Sequence, residues 1–283
     1  MSTTDKPCLF VTDLHGRHER YERLVEQIRN IVPSIVFLGG DLLPHSLHSS
    51  GFLSDHLIPL FTELMGEMRN CYPKIFVILG NDDPRCFEPS LQNSETQGLW
   101  TYLHNRRLEF GENSIFGYAC VPPTPFRLKD WERYDESRFC DPGSISPEEG
   151  FRTVEVNEAE TKWGTIEKDL LQLAGTGPMD NSVFLFHSPP YNTSLDRAAL
   201  DGRSVDHVPL DVHVGSVAIR RFIEAKQPLL TLHGHVHEST HLTGEWKIQI
   251  GRTVCINGAH DGPELAIVKF DLAEPENASR TLV

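Results

Sequence analysis

Asp13 and His15, Asp41, Asn81, His187, and the pair His235 and His237 are the residues of this chain best placed to do chemistry. Each ends or follows a short apolar run: CLFVTDLHG, IVFLGGD, IFVILGNDD, VFLFHSPP and LLTLHGHVH. Carboxylate, amide oxygen and imidazole are donors that divalent transition metals accept. Runs that are apolar at successive positions read as strands covered on both faces. Five of them, each delivering a donor at its carboxyl end, would gather those donors at one mouth of a sheet, which points to a metal site. Taken singly, each signal has a plainer account. An Asp after a strand caps a turn or a helix, and the Asn of GND suits the left-handed backbone of a tight turn. His187 alone fits a hydrogen-bonded core histidine. The two histidines of GHVH, read as part of a strand, point to one face, a spacing suited to a metal.

The elements that must position these residues follow from the spacing between the runs. RHERYERLVEQIRN predicts a helix over about 17–31, and further helices are expected near 55–70, 165–174 and 215–226. Strands are expected around SIFGYAC and near 245–250, 253–257 and 264–270. Strand and helix alternate, an α/β pattern, and in such sheets ligands bind beyond the carboxyl ends of the strands. Between about 86 and 165 the alternation stops, and PPTPFRLKDWERYDESRFCDPGSISPEEGFR is either functional or disordered. Its Phe126, Arg127 and Trp131 would line a substrate pocket or anchor a surface excursion. The last residues, AEPENASRTLV, read as a loose tail after about 273.

A length of 283 residues is compatible with one domain spanning 1–283. The formal net charge of -14 argues against an extended nucleic-acid surface, which needs clustered Lys and Arg. A small anion can still bind at a local cation. Six scattered cysteines without a CxxC pair read as reduced thiols of a cytoplasmic protein. The polar start MSTTDKPC shows no signal-peptide pattern, and no apolar run approaches the length of about 18 residues that a membrane helix needs.

Read in order, Asp13-Leu14-His15-Gly16, Gly39-Gly40-Asp41, Gly80-Asn81-Asp82-Asp83, His187 and Gly234-His235-Val236-His237 resemble the signature of the calcineurin-like metallophosphoesterases. The likeness spans roughly residues 7 to 270, and HSPP, GHVHES and INGA are similar to an Icc-related branch. It implies an α/β/β/α sandwich, two mixed β-sheets flanked by α-helices. It also implies two divalent ions, of Mn, Fe, Ni, Co or Zn: Asp13, His15 and His237 on one, Asn81, His187 and His235 on the other, and Asp41 between them. Such a pair, about 3.5–4 Å apart, clamps a phosphoryl group and activates a bridging hydroxide for in-line attack on a phosphoester. Catalytic roles would then fall to Asp41, Asn81, Asp82 and His187. The oligomeric state stays open.

One position departs from the pattern. The signature carries His after the Asn, as proton donor to the leaving group, and here that residue is Asp82. A carboxyl beside two cations is expected to be ionised and a poor donor. The preferred reading is a phosphodiesterase; the alternatives are a catalytically weak phosphoesterase-like scaffold for a protein partner, and a phosphomonoesterase or nucleotide phosphatase. Arg17 and Arg85 follow motif residues and either touch a substrate phosphate or lie on the surface. His233 and His260 would orient ligands from behind, His48 and His56 read as solvated, and His45 is a second source of a proton.

Overall fold

The computed structural model describes residues 7–45 and 50–283. In chain order the elements are β1 (Cys8–Val11), α1 (His18–Ile31), β2 (Ile35–Gly39), α2 (Ser50–Phe52), α3 (Ile58–Met68), β3 (Lys74–Ile78), α4 (Glu88–Glu95), β4 (Thr101–Tyr102), β5 (Arg106–Phe110) and β6 (Asn113–Tyr118). They continue with α5 (Glu158–Trp163), α6 (Ile166–Ala174), β7 (Ser182–Phe186), the short hairpin β8 (Ser204–Val205) and β9 (Val208–Pro209), α7 (Val217–Lys226) and β10 (Leu230–His233). Last come α8 (Ser239–Thr243), β11 (Lys247–Ile250), β12 (Thr253–Asn257), β13 (Ala266–Phe270) and β14 (Ser279–Leu282).

Two six-stranded mixed sheets carry the fold, in the orders β14-β13-β1-β2-β3-β4 and β11-β12-β10-β7-β6-β5. The five donor-bearing runs therefore divide between two sheets. β1, β2 and β3 are parallel neighbours in the first, and β7 and β10 in the second. Every residue of β1, β2 and β7 is buried, as strands covered on both faces require. Phe37 stacks between Phe76 and Phe270 in one sheet, and Phe184 between Phe116 and Phe186 in the other. Helices cover the sheets with one face each: α1 buries Tyr21, Leu24, Val25 and Ile28, and α7 buries Ala218, Ile219, Phe222 and Ile223.

Three expectations are corrected. The alternation does not stop at 86, since α4 and β4 to β6 occupy 88–118, and the irregular stretch begins only after β6. The last residues are not loose, because β14 pairs antiparallel with β13 from Ala266↔Leu282 to Lys269↔Ser279. SRTL carries too little apolar character to read as a strand, yet an edge strand needs only backbone partners. The GHVH histidines are not within a strand: β10 ends at His233, and His235 turns on a left-handed backbone with φ +72°.

Candidate metal centre

The donors converge where the two sheets meet. Past its strand end the chain turns sharply at Asp13, His15, Asp41 and His235, all with φ between 49° and 72°. Left-handed backbone is uncommon outside glycine and clusters where function over-determines the structure. The turns after β1 and β2 are zipped together: Asp13 N donates to Gly40 O (2.9 Å), His15 N to Asp41 O (2.8 Å) and Gly16 N to Leu42 O (2.8 Å). There is no room for side chains on the backbone here. A Cβ on Gly80 would lie 2.2 Å from Asp41 Oδ1, and one on Gly234 would lie 2.6 Å from Asp13 Oδ2.

Three donor groups result among the described residues: two share Asp41, and His15, His45 and Asp82 form the third. Asp13, His15, Asp41 and His237 present atoms within 4.8 Å of one another, as do Asp41, His187 and His235. Within the first group His237 Nε2 lies 3.0 Å from Asp13 Oδ1 and 3.2 Å from His15 Nε2. Within the second, His187 Nε2 lies 3.2 Å from Asp41 Oδ2 and 3.1 Å from Asn81 Oδ1. Metal–ligand bonds of about 2.0–2.2 Å place neighbouring donor atoms about 3 Å apart, so the spacing fits a pair of divalent ions. Two imidazole nitrogens facing each other at 3.2 Å, with His15 Nδ1 buried, without a hydrogen bond and 3.8 Å from Asp82 Oδ2, also fit a site completed by a cation.

Electrostatics describe the same arrangement. Burial alone would lower the His187 pKa, but the Asp41 and Asp13 carboxylates outweigh it and raise the imidazole to about 10. Burial likewise opposes the Asp41 charge, yet His187 and His15 hold its carboxyl well below the ordinary range. A proton on His187 thus occupies the place of positive charge that a metal would take. His187 Nδ1 donates to Gly39 O (2.8 Å), which tethers the ring across the two sheets and turns Nε2 toward the donors.

Around the donors lies a shell that sequence reading only partly identified. Asp83, completely buried, accepts from Gly80 N (2.9 Å), Leu42 N (3.0 Å) and Leu43 N (2.7 Å), so one carboxylate clamps the turns after β2 and β3. Arg20, inside α1, donates to Asp13 O (2.5 Å) and Gly262 O (2.6 Å). Nothing local distinguishes it from the other arginines of that helix. His233 Nδ1 donates to Ser188 O (2.8 Å), next to His187, and Nε2 pairs with Thr231 Oγ1. His260 instead pairs with Glu264 (3.1 Å) at the surface. His56 is packed against His18 and Phe52 rather than solvated, and His48 lies outside the described residues.

Asp82 stands at the rim. Its N donates to Asp41 Oδ1 (2.8 Å), its Oδ1 accepts from Asn81 Nδ2 (3.2 Å), and its Oδ2 lies 3.1 Å from His45 Nδ1. Burial and the Asp41 charge push its carboxyl up to about 6. His45 stacks on His15 with ring centroids 4.3 Å apart.

From the donors a cavity of about 510 Å³ opens, with Asp41, Asn81, Asp82, His235 and His237 at one end and Phe126 in its wall. The other substrate candidates sit elsewhere. Trp131 is fully buried and donates from Nε1 to Asp83 O (2.8 Å), so it supports the clamp and does not line this cavity. Arg85 pairs with Glu88 (3.1 Å), lies over the Trp131 ring and lines a separate cavity of about 250 Å³. Arg127 is exposed and outside both cavities, and Arg17 is exposed and donates to Gly262 O (3.5 Å). Sequence reading passed over the segment 198–214, which supplies much of the wall. Its signal was length, a long stretch without periodicity between His187 and α7.

Comparison with known proteins agrees with this geometry. The fold is similar to that of TT1561 of Thermus thermophilus, with TM-score 0.56, 14% identity and 98% of each chain covered. It is also similar to phosphopantetheinyl hydrolase (PptH) from Mycobacterium tuberculosis, with TM-score 0.55, 11% identity, and 92% of this chain and 91% of that chain covered. No curated protein sequence matches the chain significantly. The sequence profile of the calcineurin-like phosphoesterases matches residues 6–239. With that match and two donor groups sharing one carboxylate at the sheet ends, the chain belongs to the calcineurin-like phosphoesterase family and is a metallophosphoesterase.

Proposed function

We propose that the protein hydrolyses phosphodiesters through a dinuclear centre. Asp13, His15 and His237 would hold one ion, Asn81, His187 and His235 the other, and Asp41 both. The carrying observation is the sharing of Asp41 between the two donor groups. Two divalent ions, when bound, supply positive charge for the phosphoryl oxygens and an activated water. The chain's own residues do the positioning. His187 is oriented through Gly39 O, Asp13 through Arg20, and the turns through Asp83.

Preference for a diester over a monoester follows from charge. A monoester brings two negative charges and needs extra cations, whereas Asp82 adds a carboxylate at the rim and Arg203 is the one Arg or Lys among the described residues lining the cavity. Asp82 leaves the departing oxygen without a strong acid, and the side chain paired with it is His45. All six cysteines are free, three of them buried, which supports a reducing, cytoplasmic setting.

The test is turnover of bis(4-nitrophenyl) phosphate against 4-nitrophenyl phosphate with Mn, Fe, Ni, Co or Zn added, then with chelator. Chelator-sensitive turnover favouring the diester is expected. A stable protein that turns over neither ester with any of the metals is a scaffold instead, and preference for the monoester refutes the diester assignment.

A further inference from the structure

The cavity that opens from the donor cluster changes character within a short distance. Its far walls come from two segments outside the metal-bearing turns, 122–126 with 141–144, and 198–214 around the β8–β9 hairpin. Phe126, Pro142, Leu200, Val205, Leu210 and Val236 face into it. Phe126 is 57% exposed and Val205 37%, large apolar surfaces with nothing packed on them. Charge on these walls has the wrong sign for a second anion. Asp141 and Asp211 outnumber Arg203, Glu238 beside His237 adds a third carboxylate, and His213 is held by Asp196 at 2.8 Å. A nucleoside polyphosphate or a carboxylate-bearing alcohol would meet three acidic groups, while an uncharged hydrocarbon would bury apolar surface on both sides.

These walls are braced. Lys129 and Glu132, both fully buried, form an ion pair, and Glu132 also accepts from Thr124 N (2.8 Å) and Thr124 Oγ1 (2.5 Å), fixing the 122–126 wall. Asp196, completely buried, accepts from Asn192 N, Thr193 N and Gly215 N and so closes the base of the hairpin segment. A wall supported in this way is a preformed surface.

We infer that the cavity takes the uncharged, apolar organic group of a phosphoester, an alkyl or aryl alcohol, and discriminates against groups carrying a second phosphate or a carboxylate. This deepens the phosphoesterase reading and rests on it for the position of the phosphorus at the donor cluster. In the reaction a water oxygen bonds to phosphorus, the bond from phosphorus to the leaving oxygen breaks with its electron pair going to that oxygen, and the water's proton passes to solvent or the leaving group.

The test keeps the leaving group fixed and varies the other ester. With Mn-loaded protein, 4-nitrophenyl methyl, butyl and octyl phosphates are compared, then phenyl against 4-carboxyphenyl. Each buried methylene is expected to raise kcat/KM by up to about fourfold until the cavity is filled, and the carboxylate to lower it at least about tenfold. Val205→Asp and Phe126→Ala, both at exposed positions, should flatten the alkyl series while metal per protein stays constant. Calorimetric binding of methyl-, butyl- and octylphosphonate to the same protein should follow the same order. A flat alkyl series, equal use of phenyl and 4-carboxyphenyl esters, or an unchanged slope in the folded variants overturns the inference. If no ester is turned over with any metal, the phosphoesterase reading fails. The phosphonate series then decides the cavity alone, affinity rising with chain length upholding it and no rise overturning it.

Discussion

At the donor cluster, four side chains stand on left-handed backbone and are held by hydrogen bonds between turns that follow different strands; at the facing wall, the chain is irregular but rests on one buried ion pair and one buried aspartate. Left-handed non-glycine residues are each worth about 1–3 kcal/mol of strain, which the cluster offsets through many short contacts. Its order is spread over many bonds, so a single loss at its edge is tolerated while loss of the shared carboxylate is not. The wall concentrates its order in a few buried charges, so one change there should loosen a whole segment. Chemistry and specificity therefore fail separately.

Asp41→Asn breaks the cluster and leaves the wall. It removes the carboxylate common to both donor groups, so metal loading should fall as a pair and turnover by more than the roughly 100-fold that loss of an outer partner brings. Metal content by mass spectrometry alongside turnover checks this; full loading with full turnover in the variant would refute the bridging role.

Lys129→Met does the reverse. It strands Glu132 in a fully buried position, and removing one partner of a buried pair is expected to lower stability by about 3–5 kcal/mol. Urea unfolding measures it. The double variant Lys129→Met with Glu132→Leu should recover much of the loss, and metal per folded molecule should not change. A loss below about 1 kcal/mol for Lys129→Met would mean that Thr124 and the surrounding backbone hold the wall unaided.

Asp82→His sharpens the comparison at its seam, where the cluster opens into the cavity. The wild type should show a steep dependence of rate on leaving-group acidity. The variant should raise turnover of alkyl esters by at least about tenfold, a part of the 10²–10⁴ that general acid catalysis supplies. Flat dependence in the wild type, with chemistry rate-limiting, would show that His45 or another group already delivers the proton.

A pH-dependent effect lies behind the wall. Burial, with Arg85 and Arg133, pushes the His104 imidazole from 6.5 down to about 3, while its Nδ1 accepts from Ala119 N and its ring meets Trp131. The folded pKa is below the unfolded one, so as pH falls through 6.5 the unfolded chain takes up a proton that the folded chain refuses. Stability from this group is complete above 6.5 and declines toward pH 3. His104→Gln should give a shallower acid limb in a urea-midpoint series; an unchanged limb would show that His104 carries its proton in the folded state.

Sequence by itself singled out the candidate donors and the strands that carry them. Strands buried on both faces must be apolar at successive positions, and few residue types can hold a divalent ion, so IVFLGGD or VFLFH is informative before any fold is known. It also exposed Asp82, because a substitution within an ordered motif is visible as such. Tertiary structure decided what each side chain faces. His235 leaves its strand through a left-handed turn that no periodicity announces, and Trp131 turns its indole inward to Asp83 O instead of outward to a substrate. SRTL becomes a strand because β13 offers an edge, and the 198–214 segment becomes a wall because Asp196 closes its base. Each of those outcomes depends on partners far away in the chain, and local propensity carries no information about a partner that only folding brings near.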